Sequence, residues 1–426
     1  MRVVVAALAL VLAVSVHAPL EPVAAAARSC GPLSPPSGKV VRVDPTHADR
    51  LPSIVAGAAR GTTILLEDGV YTMTSGDEAG RRLIFRRRGV TLRSASNNAD
   101  AVVLDGDYIT NEIVAVHASD VTIAHITIRE AVHHPVHVTP PEDGGNLKEL
   151  RLYDVRLIDG GSQFLKVNPA GSPLSYVDDG RVECSLFRMT DGGRAHVQRE
   201  PGGCYTGGID AHSARGWVVK NNKFEGIYCA GEGLAEHAVH FWKGSRGTRV
   251  ENNTILECAR GIGFGLGEND GGRTYSDMPG DIYVGHYGGM IRNNVIYASH
   301  PYFDTGIELS QASGARVYHN TIPHNDGETG FFSSIDYRFP NTAVYIRNNL
   351  VERITARDGG TARVDHNLKA APLSLFVDPG TYDFHLASGA DVAIDKGVRL
   401  KKAGRDMDGG RHDNRKPDLG ADEYGR

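Results

Sequence analysis

A short phrase returns about every 25 to 30 residues along this chain: two polar residues, usually Asn-Asn, between short apolar segments. It reads WVVKNNKFEGI at 217–227, RVENNTILECARGIGFG at 249–265, MIRNNVIYAS at 290–299, RVYHNTIPHN at 316–325 and VYIRNNLVERI at 344–354. A unit this small cannot bury an apolar face alone, so successive units must stack. Within each unit the apolar residues alternate with the two-residue period of strands, not the 3.6-residue period of helices. In the unit from Gly306 the strands are GIELS, ARVY and NTI, which sets Ile307, Leu309, Val317 and Ile322 inward. Three short strands per turn predict an all-β chain, a single-stranded right-handed parallel β-helix.

The Asn between the second and third strands suits a tight corner, because Asn tolerates left-handed backbone angles and its amide can bond to neighbouring turns. Asn222, Asn253, Asn294, Asn320, Asn349 and Asn367 are thereby predicted to form an inward ladder that is structural rather than catalytic. The 51 glycines and the 7% aromatic content agree with a fold of many turns and small inward side chains. A formal net charge of -5 argues against nucleic acid as a partner.

The order of regions follows from composition. Residues 1–27 read as an export signal, with Arg2, an apolar run to Val16 and small residues before Arg28. Residues 28–80 form an N-terminal cap and first turn, 81–368 the β-helix, and 369–426 a tail that packs on or caps it. No other segment could span a bilayer, so the chain is expected to be secreted or periplasmic, free of membrane after signal removal, and monomeric. Export permits disulfides among Cys30, Cys184, Cys204, Cys229 and Cys258. Cys184 with Cys204, or Cys229 with Cys258, are the pairs considered, although spacing alone does not fix connectivity.

Function must come from one face of the coil. Aligning the strand before each ladder segment (PVHVTP, FLKVNP, GIDAHS, AVHFWKGS, GIGFGLGE and TGIELSQ) gives an outward column of His137, Lys166, Asp210, His240, Gly263 and Glu308. Asn168, His212, Trp242, Gly265 and Ser310 lie alongside. Glycines at 261, 263, 265 and 267 would let a ligand approach the backbone. Interruptions of the repeat at 169–206, 228–237 and 267–289 would wall a groove. Such a groove suits an extended acidic polysaccharide, with Trp242, Tyr275, Tyr283 and Tyr287 stacking on sugar rings. Removing the proton beside a uronate carboxylate needs a base and a neutralising cation. Lys166, Lys243, His212 and His240 are candidate bases; Asp210, Glu236, Glu268, Asp304 and Glu308 are candidate calcium ligands. Hydrolysis needs two carboxylates flanking one bond, and Asp210 and Glu308 are three turns apart.

The stretch EHAVHFWKGSRGTRVENNTILECARGIGFG, 236–265, resembles the active-site turn of the alginate lyase and chondroitinase B family of β-helix lyases. The resemblance implies a polysaccharide lyase, with Lys243 in the place of the proton-abstracting base and Glu236 in that of a calcium-binding carboxylate. Ala238 occupies the second Glu position and Leu266 lies near the family's catalytic Arg, for which Arg260 is the substitute on offer. GGIDAHS is similar to the Asp-x-His motif of mannuronan C5-epimerases, which implies a second catalytic option through Asp210 and His212; the Tyr of that motif is Gly207 here. The tail phrases YDFHLASGADVAIDKG and DMDGGRHDNRKPDLGADEYG resemble the C-terminal ends of secreted bacterial β-helix proteins. A non-catalytic, adhesin-like polysaccharide-binding protein is the alternative from another class.

Overall fold

The computed structural model describes residues 30–142, 144–200, 203–231, 233–266, 272–278, 283–324, 330–412 and 415–425. The expected export signal and Glu268 lie outside them. Three long parallel sheets of 14, 10 and 10 strands form the body among the described residues, in a right-handed parallel β-helix. Each turn contributes a strand to each sheet, as in Thr305–Ser310, Ala312–Tyr318 and Thr321–Ile322. The parallel pairing begins at Val40–Val43 against Thr63–Leu66, within the stretch expected as cap and first turn.

Register repeats from turn to turn, so inward side chains stack in files. Ile262, Ile307 and Ile335 are consecutive register partners, and all three are fully buried. Each such aliphatic side chain contributes about 1.5–3 kcal/mol of burial. The four inward residues expected in the unit from Gly306 are likewise buried.

The Asn pair divides its labour at one corner. The first member takes the left-handed conformation, with φ of 56° at Asn221, 58° at Asn252, 54° at Asn293 and 58° at Asn348. The second turns inward and bonds to the next turn. Nδ2 of Asn222 donates to Asn253 at 3.0 Å, Asn253 to Asn294 at 3.0 Å, Asn294 to Asn320 at 2.9 Å, Asn320 to Asn349 at 3.0 Å and Asn349 to Asn367 at 2.8 Å. All six predicted ladder residues are in place.

The outward amides of the same corner hold the C-terminal tail. Asn293 Nδ2 donates to the carbonyls of Ala403 and Arg405 at 2.8 and 2.6 Å, Asn252 to Arg405 at 3.1 Å, and Asn348 to Val398 at 2.7 Å. Phe376, Phe384, Leu386 and Leu419 form a second apolar cluster with Leu256, Val295 and Leu350 of the coil. The tail therefore packs along the side of the stack.

Two expectations are corrected. The disulfides are Cys30–Cys184 and Cys204–Cys229, leaving Cys258 buried and free. Residues 169–206 are not a pure insertion, because Arg181–Glu183 and Leu186–Arg188 complete an ordinary turn. The repeat was hidden there because Cys184 and Ser185 replace the Asn pair; Cys184 supplies the left-handed residue at φ 60°, and Ser185 N–H donates to Asn222 Oδ1 at 2.9 Å.

Candidate functional site

One sheet carries the candidate site. Its strands run from Leu83–Phe85 through Glu112–Val116, His134–Val138, Gln163–Val167, Gly207–His212, His237–Trp242, Arg260–Phe264, Thr305–Ser310 and Ser333–Arg338 to Ile354–Arg357. Side chains alternate across such a strand. The register pairs His137 with Lys166, Lys166 with Asp210, Asp210 with His240, His240 with Gly263 and Gly263 with Glu308. This is the outward column read from the sequence, without a slip. His212 and Trp242 pair in the next column.

Asp210 is the hub. Its carboxylate forms a buried ion pair with Lys166, accepts from Trp242 Nε1 at 2.6 Å and lies 3.2 Å from His212 Nε2. Burial works against the charged carboxylate, yet Lys166, His212 and His240 hold its pKa well below the ordinary value. Burial also opposes charge on Lys166, but Asp210 and the hydrogen-bonded phenol of Tyr205 raise its pKa, so this lysine is a fixed cation and not a base. Nε2 of His212 faces both the Asp210 carboxylate at 3.2 Å and the Lys166 ammonium at 3.4 Å; the carboxylate, which only accepts, is the nearer, so the proton is assigned to Nε2 and the lone pair to Nδ1. Burial, then the charges of Lys166 and Lys243, push the His212 pKa below 6.5 despite Asp210. The imidazole is neutral at pH 7 and competent to take a proton.

Lys243 occupies a left-handed turn position at φ 55°. Its carbonyl accepts from Ser213 Oγ and Arg273 N–H, and its ammonium lies 4.9 Å from the Trp242 ring centroid. Among the described residues it has no carboxylate within ion-pair distance.

The other half of the site is a paired network. Arg260 lies 3.3 Å from Glu236 and 3.6 Å from Glu308, while Arg338 donates to Glu308 at 2.7 Å. His237 Nε2 lies 3.1 Å from Glu308, and burial followed by the Arg260 charge pushes its pKa down to about 3. Opposite, His137 Nδ1 lies 2.7 Å from Glu112, which is also ion-paired with Arg82. Burial opposes the Glu112 charge, yet His137 and Arg82 bring its pKa to about 2.

Several expected residues have other duties. His240 is 1% exposed, donates through Nε2 to the Gly265 carbonyl at 3.1 Å and stacks beneath Trp242, so it supports the site without reaching a ligand. Tyr287 is buried in the neighbouring sheet, and Tyr275 donates to the Gly244 carbonyl at 2.9 Å beside the Lys243 turn. Tyr287 is thus withdrawn, and the Arg246 and Arg273 guanidiniums lie 4.8 and 5.3 Å from the Tyr275 ring centroid. Three of the glycines do not clear room for a ligand either, and Gly267 lies outside the described residues: a Cβ at Gly261 would sit 2.2 Å from the Gly306 carbonyl, one at Gly263 2.8 Å from His240 and 2.9 Å from His237, and one at Gly265 1.8 Å from the Ser310 carbonyl. They admit the protein's own imidazoles and backbone.

Among the described residues the expected calcium ligands do not converge, and Glu268 lies outside them. Glu236 and Glu308 share Arg260, and Asp304, just ahead of the strand Thr305–Ser310, accepts from Thr305 Oγ1 at 2.6 Å. Ligand atoms of Glu236, His237 and His240 do lie within 4.8 Å of one another, but two imidazoles and one carboxylate are a donor set for zinc-like ions rather than calcium.

Tyr205, Glu112, His237 and Arg338 were not singled out by sequence reasoning. Tyr205 had one local signal, its place directly after Cys204, whose disulfide to Cys229 ties this segment to the loop ahead of Glu236.

No family model and no curated protein matches this chain. Among solved structures it is similar to pectate lyase Pel9A, with a TM-score of 0.55 and 15% identity over 91% of this chain and 96% of that one. A mannuronic acid specific polysaccharide family 6 lyase from human gut microbiota superposes with a TM-score of 0.43 and 13% identity, covering 78% of this chain and 80% of that one. A lacto-N-biosidase from Eubacterium ramulus gives a TM-score of 0.46 and 12% identity, covering 79% of this chain and 68% of that one. At such identities the likeness to the pectate lyase concerns the fold.

Proposed function

We propose that this protein is an exported carbohydrate-active enzyme that removes the C5 proton of a uronate unit in an acidic polysaccharide, with β-elimination as the outcome. One observation carries the reading: burial and the Lys166 charge keep His212 neutral while Asp210 holds its Nε2, leaving Nδ1 open beside the ammonium of Lys243, which among the described residues has no carboxylate partner. In this assignment His212 is the base. Lys243 faces the uronate carboxylate and makes the C5 proton more acidic, a different role from the base implied by its place in the lyase-like turn. Tyr205, held by Lys166, protonates the departing glycosidic oxygen. The proton leaves C5, its electron pair forms the ring double bond, and the glycosidic C–O bond breaks.

Hydrolysis is the weaker chemistry. Both oxygens of Asp210 are engaged, and Glu308 stands three strand spacings away, about 14 Å, beyond the reach of a carboxylate pair. Epimerisation at C5 is the second reading, favoured by the contact between Asp210 and His212 and by the presence of both His212 and Tyr205 as proton carriers. Arg260 and Arg338 already balance the carboxylates that calcium would need, so calcium is not required in this account.

Export is supported by the two disulfides and the apolar N-terminal run. Among the described residues no helix is long and apolar enough to cross a membrane. The test is to incubate the purified protein with alginate, pectate, hyaluronan, chondroitin and glucuronan and follow ultraviolet absorbance of the unsaturated product. Absorbance on one of them supports elimination. Binding without any chemical change would instead identify a polysaccharide-binding protein.

A further inference from the structure

Most cations along the site sheet are neutralised: Lys166 by Asp210, Arg260 and Arg338 by Glu308, Arg357 by Asp336 at one edge, and Arg82, just ahead of the strand at the other edge, by Glu112. The N-terminal edge of the same sheet differs. Its last strand, Leu83–Phe85, runs directly into Arg86-Arg87-Arg88, and all three side chains are exposed. Arg88 approaches Asp120 at 3.8 Å. Among the described residues no carboxylate lies within ion-pair distance of Arg86 or Arg87.

Register places this edge relative to the proposed base. Phe85 pairs with Val116, Val116 with Val138, Val138 with Val167 and Val167 with Ala211. One residue further along each strand stand Arg86, His117, Thr139, Asn168 and His212, and the ladder continues there, with His117 N–H donating to Phe85 O at 3.0 Å and Asn168 N–H to Val138 O at 3.0 Å. Arg86 therefore lies in the row of His212, four strand spacings away, or about 19 Å. A pyranose ring in an extended chain is about as long as one strand spacing, so a polymer crossing the strands keeps step with the rows.

We infer that Arg86 and Arg87 form a distal subsite for a uronate carboxylate, about four sugar units from the unit that meets His212, in line with the row spacing. The inference rests on the uronate reading of the central site and adds a direction to it, since the chain must extend from His212 toward the N-terminal turns. Each guanidinium offers a planar fork to a carboxylate, a geometry that lysine does not supply.

The test is calorimetric binding of a length series of uronate oligosaccharides, from three to eight units, to the full protein and to an Arg86→Ala/Arg87→Ala variant, at low and moderate salt. Both positions are exposed, so the fold is retained. The expected result is equal affinity for the trisaccharide and a loss of about fivefold for the longer chains, the size two exposed charge pairs support, shrinking as salt rises. Equal affinity of both proteins at every length overturns the subsite while leaving the central reading intact. If no uronate oligosaccharide binds even the unaltered protein, the uronate reading falls and the subsite with it.

Discussion

Lys166 and Asp210, 44 residues apart in sequence, are register partners on adjacent strands and form an ion pair in which both side chains are less than a tenth exposed. Burying two charges is costly unless each keeps its partner. Asp210→Ala is therefore expected to destabilise the fold by about 3–5 kcal/mol, because it strands the ammonium. An added Lys166→Met substitution should recover much of that loss. Chemical denaturation of the two single variants and the double variant measures the coupling; additive losses would mean that the pair is not the buried unit described.

His212 makes a separate prediction, because its substitution leaves the ion pair in place. His212→Gln should keep stability within about 1 kcal/mol of the unaltered protein yet lower turnover of a uronate polymer by about 10²–10⁴-fold. Its pKa lies below 6.5, and the base must be neutral to act. Activity should accordingly persist as pH falls through 6.5 and decline only at lower pH. Stopped assays across pH 4–8 locate that acid limb, and a limb above 6.5 would point to another base.

Asn294 tests the scaffold. It is fully buried, accepts from Asn253 N–H at 3.0 Å and donates to Val250 O at 3.0 Å and Asn320 Oδ1 at 2.9 Å. Asn294→Ala leaves donors and acceptors unpaired in two neighbouring turns and should cost about 2–4 kcal/mol, since each stranded buried group costs about 1–3. Thermal unfolding reads the loss directly.

The tail carries a pH-dependent clamp. His385 Nδ1 lies 2.6 Å from Asp383 and Nε2 lies 2.9 Å from Asp408, and these contacts, the Asp408 bond first, raise its pKa to about 9. The folded value lies above the unfolded one, so the stabilisation is complete below pH 6.5 and fades as pH rises through 9. Unfolding midpoints should fall across that window, and His385→Ala should flatten the fall.

Calcium removal gives a sharper contrast with the implication of the lyase-like turn. Arg260 sits between Glu236 and Glu308. Treatment with a chelator should leave turnover unchanged, while Arg260→Ala should lower it and render what remains responsive to added calcium.

The fold was legible because a corner Asn, usually the second of an Asn pair, recurs in every turn from Asn222 to Asn367 and fixes the register of the strands around it. That mark also set the site column, and Lys166, Asp210, His240, Gly263 and Glu308 follow one another as register partners. What the residue types in that column do was not legible. His240 and His212 are both imidazoles on outward rows, yet His240 is sealed under Trp242 while the polar contacts of His212 among the described residues are all at Nε2, which leaves Nδ1 open. Pairing across turns decides this, and it depends on side-chain length and on loops such as the one carrying Tyr205. The disulfides were missed for the same reason: Cys30 meets Cys184 across 154 residues.

The central claim is that this face removes a C5 proton through His212. Uronan deuterated at C5 measures it most directly, by release of label to solvent, and it does so for elimination and epimerisation alike. The account predicts label release by the unaltered protein, with an unsaturated product, and at least a hundredfold slower release by His212→Gln, the lower bound for loss of a general base. Cleavage with the label retained, or label release undiminished in His212→Gln, would contradict it.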